Sequence, residues 1–276
     1  MGFRVSTNTA SMAAQRTLSN HSRETTRVYG QLSSGDRITE TCVDPAGLAI
    51  SEKMKASIRS FGQTIKNTSD AASLFQVAEG NLSVIGDMGI RLRELAVQAA
   101  SDTLGNSERR NINLEFQSLK NEIERLAENS EFSGHKLLNG TGAIYDFQVG
   151  INNGNSERIS FNTKDLDSRL SSLAIAHTSV ITKENAQESL GQLDNMITKV
   201  SNRKSVIGAR MMRLQTAEGN NDNSRVNASA SNSRIRDADV AQTSAEAMKL
   251  KISTAATVST LSLANDTPNQ VMKLLS

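Results

Sequence analysis

Cys42 carries the only thiol in the chain, and His21, His135 and His177 carry the only imidazoles. A lone cysteine excludes an intramolecular disulfide and leaves a reactive thiol as its one chemical option. Cys42 reads instead as a small side chain at a helix boundary, because Asp44-Pro45 follows it and suits a helix start. The histidines are scattered, and none sits in the H-E-x-x-H motif that holds zinc on a helix. The chain also lacks the phosphate-cradling G-x-x-x-x-G-K-[ST] loop, the dinucleotide-binding G-x-G-x-x-G and the nucleophile elbow G-x-S-x-G. We therefore expect no catalytic, cofactor-binding or metal-binding residues, no cofactor, no small-molecule substrate and no enzyme activity.

The composition points the same way. Aromatic residues make up 3% of the chain, Trp is absent, and Tyr29 and Tyr145 are the only tyrosines. No Phe, Tyr or Trp follows Phe161. Few large rigid side chains remain to fill a deep pocket or grip a ligand. Pro45 and Pro268 are the only prolines, so nothing between them forces a helix break. The 31 basic and 29 acidic residues are spread along the chain without a basic block, so no nucleic-acid partner is expected. No apolar run reaches the length of a membrane-spanning helix. The N-terminus, Met1 to Asn8, lacks the apolar stretch of a secretory signal, so export would take another route.

The elements that these residues must build are long helices. From Ile50, apolar or small residues recur in steps of four and three through Met54, Ile58, Phe61, Ile65, Ala72, Phe75, Leu82, Ile85, Leu92, Ala96 and Ala99, with Thr68 and Gly89 filling two slots. This is a coiled-coil seam, and a helix of about 50 residues is roughly 75 Å long. Such a helix buries its stripe only against other long helices. Ile112, Phe116, Leu119, Ile123 and Leu126 supply one partner, with Ser107 as its expected N-cap. Ala186, Leu190, Leu193, Ile197, Val200, Ile207, Met211 and Leu214 supply another, interrupted by Lys204 and capped by Ser179 or Thr182. Within residues 141–178, Ile144, Phe147, Val149, Ile159 and Phe161 flank a turn-rich segment holding Asn153-Gly154, which reads as a β-hairpin. A lone hairpin is marginal in water, so this one must lie on the helices.

The two ends resemble each other. Residues 5–22 hold one charged side chain, Arg16, and residues 252–272 hold one, Asp266. Near the C-terminus, Ala245, Met248, Ile252 and Ala255 form one stripe, and Ala247, Leu250, Val258 and Leu261 form another. A helix apolar on two faces is buried on two faces. Each end is a single helix with too little chain beside it for that. We therefore expect the ends to bury surface against each other and against neighbouring copies, and to be frayed in a lone molecule. The expected self-assembly residues are Val5, Met12, Leu18, Leu32, Met248, Ile252, Leu261, Leu263, Val271, Leu274 and Leu275. The fold class expected is mainly α: a long antiparallel coiled-coil bundle with one small β-hairpin, its terminal helices paired and ordered by polymerisation.

Specific segments carry a family resemblance. Leu32-Ser33-Ser34-Gly35-Asp36-Arg37-Ile38, followed by Pro45-Ala46-Gly47-Leu48-Ala49-Ile50-Ser51, resembles the N-terminal signature of bacterial flagellin. Arg91 to Ala99 is similar to its R-x-R-E-L-A-V-Q segment, and Glu131 to Gly140 to its F-[NS]-G-x-K-L-L-x-G turn. Phe147-Gln148-Val149-Gly150 resembles its hairpin strand. Ser233 to Ala241 and Pro268 to Leu275 resemble its C-terminal signature. The matches are in order and span essentially the whole chain, leaving no room for the variable outer domains. Asp44-Pro45-Ala46 departs from the usual acidic and alanine pattern, and Cys42 is unusual for the family.

The resemblance implies a subunit of the flagellar filament that serves swimming motility. It implies passage unfolded through the flagellar secretion channel and assembly at the tip under a cap protein. Residues 1–43 and 236–276 would form the inner tube, and residues 44–235, with the hairpin at 141–178, the outer tube. The implied partners are further copies of itself, alone or with sister flagellins, the cap, the hook–filament junction proteins and an export chaperone. The implied location is the extracellular filament, bare or within a membrane sheath. It also implies an innate-receptor patch at Arg91, Leu95 and Glu115. A hook–filament junction adaptor shares the terminal helices and is the competing reading; an enzyme or signalling coiled coil is the third.

Overall fold

The computed structural model describes the backbone of residues 7–275 and the side chains of residues 7–267. Its helices are α1 (Thr9–Ser34), α2 (Pro45–Ala99), α3 (Asn106–Asn129), α4 (Leu170–Leu173), α5 (Lys183–Arg236) and α6 (Val240–Leu275). Its strands are β1 (Glu131–Phe132), β2 (His135–Lys136), β3 (Ile144–Gln148) and β4 (Arg158–Asn162). The chain divides into two compact units: residues 59–225 form a central unit, and residues 1–58 with 226–276 form a terminal unit.

The central unit is a helical bundle with a real core. Phe75, Leu82, Ile85 and Leu92 of α2 are fully buried with Phe116 and Ile123 of α3 and Leu193, Ile207 and Leu214 of α5. These are seam positions, so the four–three spacing located the core. Ile65, Phe61 and Ala72 from the same stripe are only half-buried, and Ala71, Leu74 and Ala78 join the core from beside it. The long stripe therefore drifts around the helix, as a straight α-helix does against a seven-residue repeat.

The turn from α2 to α3 is tied by a cation. Arg109 is buried, and its guanidinium donates to Ala99 O (2.9 Å), Ser101 O (2.8 Å) and Asn106 Oδ1 (3.1 Å). The last carbonyls of a helix lack partners and carry negative partial charge, so a guanidinium suits them. α3 begins at Asn106 after Gly105, which makes no side-chain cap. Ser107 thus lies inside the first turn and is not the N-cap. At α5, Thr182 is the cap: its Oγ1 accepts from Asn185 N at 3.2 Å. Ser179 instead accepts from Ser189 Oγ through its carbonyl (3.0 Å).

β3 and β4 pair antiparallel with Ile144 opposite Asn162 and Phe147 opposite Ile159. Phe75 of α2 meets Phe147 and Phe161 edge-on, at 5.8 Å and 5.1 Å between ring centres. Asn221 of α5 donates to Val149 O at 2.6 Å. The hairpin is thereby pinned to the helices, as its marginal solitary stability requires. A second hairpin, β1–β2, closes through Ser133 and Gly134, both at positive φ. A two-residue turn with both centres in that region is the type I′ geometry, which suits a glycine.

Buried Lys120 stitches the loop before α5: its ammonium donates to Ala176 O and Thr178 O, both at 2.9 Å. Burial lowers its pKa.

In the terminal unit α1 and α6 pair antiparallel. Asn8 Nδ2 donates to Ala264 O (2.8 Å), Ser11 Oγ to Asn265 Oδ1 (2.7 Å), and Arg27 faces Glu246 at 3.5 Å. Val28, Ala247 and Leu250 form a buried apolar cluster in this unit.

Candidate assembly surface

Only one of the two stripes on α6 faces α1. Thr243, Ala247 and Leu250 are buried on that side, and Leu261 continues it half-buried. The opposite side is open: Met248 is 64% exposed, Ile252 72% and Leu263 67%. Val258, read from sequence with the covered stripe, is half-exposed. On α1, Met12 is 63% exposed and Leu32 38%, while Leu18 is half-buried. Val5 lies outside the described residues, and Val271, Leu274 and Leu275 outside the described side chains. The unit therefore presents large apolar side chains along one side of α6, the kind of surface that marks an interaction site.

The link from α1 to α2 is bound to the link from α5 to α6. Gly35 ends α1 with φ of 73°, donating its N–H to Gln31 O. Asp36 then bridges Asp237 in antiparallel fashion. Arg37 N donates to Arg236 O (2.6 Å), and Ala238 N to Gly35 O (2.8 Å). The Arg37 guanidinium caps α5 through Ile235 O at 2.7 and 3.1 Å. Arg236 reaches the other way, to Glu52 Oε1 (2.6 Å) and Asp36 Oδ2 (3.0 Å). Hydrogen bonds to Glu52 first, and then Asp36, raise its pKa. The start of α2 follows from local chemistry: Asp44 Oδ1 accepts from Gly47 N at 2.8 Å, with Pro45 as the first helical residue. Sequence reading found this cap, but missed the arginine pairing, whose partners lie about two hundred positions away in the chain.

In the central unit Arg91 and Glu115 meet on the surface. Arg91 donates to Glu115 Oε1 at 2.9 and 3.1 Å and to Glu94 Oε2 at 3.0 Å. These bonds, Glu115 foremost, raise the Arg91 pKa. Leu95 is not with them at the surface: it is 2% exposed, within the core. Of Arg91, Leu95 and Glu115, the structure brings Arg91 and Glu115 together at the surface and leaves Leu95 buried.

Cys42 is exposed, its thiol donating to Glu40 Oε2 at 3.3 Å. Among the described residues no His, Cys, Asp and Glu side chains gather into a set that could hold a metal. No described helix is long and apolar enough to cross a membrane.

Comparison with known proteins shows the family of the chain. The profile of the bacterial flagellin N-terminal helical region matches residues 5–143, and that of the bacterial flagellin C-terminal helical region matches residues 190–275. The chain belongs to the bacterial flagellin family. This flagellin is 36% identical to a flagellin of Halalkalibacterium halodurans, over 98% of this chain and 99% of that one. It is 32% identical to a flagellin of Bacillus subtilis, over 99% of this chain and 100% of that one. It is 31% identical to a flagellar filament 30.7 kDa core protein of Treponema maltophilum, over 99% of each chain. Among solved structures it resembles Bacillus cereus flagellin at 26% identity and a TM-score of 0.50, covering 56% of this chain and 88% of that chain. A Vibrio parahaemolyticus protein described as flagellar hook-associated shares the fold at 13% identity and a TM-score of 0.59, covering 71% of this chain and 100% of that chain.

Proposed function

We propose that the open apolar side of α6, with Met12 and Leu32 of α1, is where this flagellin, a structural subunit of the flagellar filament serving motility, packs against further copies. The observation that carries the reading is the division of α6 into one face covered by α1 and one bearing exposed Met248, Ile252 and Leu263. Burial of apolar side chains is worth about 25 cal/mol per Å², so a neighbour on that face stabilises both subunits. Assignment of residues 1–43 and 236–276 to an inner tube, and of 44–235 to an outer one, rests on family resemblance. So do export unfolded through the flagellar channel to the cell exterior, assembly beneath a cap, and contact with junction proteins and an export chaperone. The work of such a subunit is mechanical, and we assign it no enzymatic step. The patch of Arg91 and Glu115 as a receptor contact rests on family resemblance alone.

Seeded polymerisation tests the assembly reading. Purified full chain is mixed with short filament fragments and imaged by electron microscopy. Elongation into long tubes is the expected result. Fragments that stay unextended, with the central unit confirmed folded, transfer the chain to the junction-adaptor class that its likeness to a hook-associated fold keeps in view.

A further inference from the structure

The bridge between the two links sets two aspartates opposite each other. Arg37 N bonds Arg236 O, and Ala238 N bonds Gly35 O, on either side of the Asp36–Asp237 pair. That pattern makes Asp36 and Asp237 a non-hydrogen-bonded antiparallel pair, in which facing side chains stand closest. Like charges directly opposite one another destabilise such a pair. Two local groups counter this. Arg236 Nε donates to Asp36 Oδ2 at 3.0 Å while its other arm holds Glu52 of α2, and Ser233 Oγ donates to Asp237 Oδ2 at 2.5 Å. Arg236 is the one cation bonded to the facing carboxylates among the described residues.

The chain has no slack on either side of the bridge. α1 ends at Ser34, and Gly35 caps it. Only Ala238 and Asp239 separate Asp237 from α6, and Asp239 is the helix cap, accepting from Ala241 N at 2.9 Å and Gln242 N at 3.2 Å. A one-residue slip at an extended bridge exchanges its two faces, and so short a link passes that turn on to α6 relative to α1. That rotation carries Met248 and Ile252 off the open side. We propose that Asp36, Asp237 and Arg236 form an electrostatic latch fixing which face of α6 points outward, and that Arg236 is a positioning residue for assembly. This rests on the reading of that face as the assembly surface.

The test uses the full chain in four forms: unaltered, Arg236→Ala, Asp36→Asn, and the two together. Elongation on seeds is one readout. Register is the other: Ser11→Cys with Asn265→Cys, in a Cys42→Ser background, reports by disulfide yield whether α1 and α6 keep the pairing seen between Ser11 and Asn265. Arg236→Ala leaves Asp36 without its cation and is expected to slow elongation about tenfold, the scale of one close charge coupling, and to lower the crosslink yield. Asp36→Asn removes the repulsion and is expected to restore both in the double variant. A residue that merely contributed packing would not be rescued by neutralising its neighbour. The latch is overturned if Arg236→Ala keeps the original crosslink yield, or if Asp36→Asn restores nothing. Failure of the unaltered chain to elongate, with the crosslink lost and rescued as described, removes the filament reading and leaves the latch.

Discussion

At Asp167 two effects of opposite sign meet. Burial raises the pKa of its carboxyl, but hydrogen bonds from the Arg169 side chain and backbone outweigh this and hold it below the ordinary 3.8. The guanidinium lies 3.0 Å from both carboxylate oxygens. A carboxylate whose folded pKa is depressed contributes stability above its unfolded value, and that contribution is lost as pH falls through the lower folded value. The Asp167→Asn variant should therefore melt lower than the original protein at neutral pH, and the gap should close as pH falls below the ordinary carboxylate range. A thermal melt at each pH checks this; a gap that stays constant down to the lowest pH contradicts it. Single residues were legible in the sequence where their partners are local. Asp44 capping α2 is four positions of chemistry and was readable as such. Arg109, Lys120 and Arg37 were not, because each charged group serves backbone carbonyls that carry no sequence signature. Leu95 shows the converse: a resemblance placed it in a surface patch, and the packing of α2 places it inside.

Among elements, α6 carries two apolar stripes in different surroundings. Its Ala247 and Leu250 side is covered by α1, and its Met248 and Ile252 side is open. Met248→Glu with Ile252→Glu keeps good helix formers at both positions but places charges where burial without a partner is costly. We expect helicity by circular dichroism to be unchanged and seeded elongation to be lost. Elongation at the original rate would show that this side of α6 is not the assembly surface. The two stripes were legible because apolar spacing shows in the sequence whether or not the chain itself covers it. Which stripe the chain covers itself was not, because that depends on the rotation set at the linked turns. The β3–β4 hairpin was legible from β-forming residues around Asn153-Gly154, whereas the short β1–β2 hairpin reads from sequence only as a turn. Two residues per strand are too few for alternation to show.

On the scale of the whole molecule, the central unit holds its own aromatic and aliphatic core within residues 59–225. Deleting residues 257–276 removes part of α6 and none of that core. The truncated protein should therefore form no filaments while the thermal transition of the central unit stays within a few degrees of its original value. Circular dichroism collapsing to coil would refute the independence of the two units. The composition supported this division in part: the charge-poor ends stood out, but the boundaries did not, since α2 and α5 each run unbroken past them. With no Trp to mask them, the two tyrosines are also resident optical reporters. Tyr29 stands half-exposed on α1 in the terminal unit, while Tyr145 lies edge-on to His135 in the central one. Tyrosine emission from this unlabelled protein thus carries one signal from each unit.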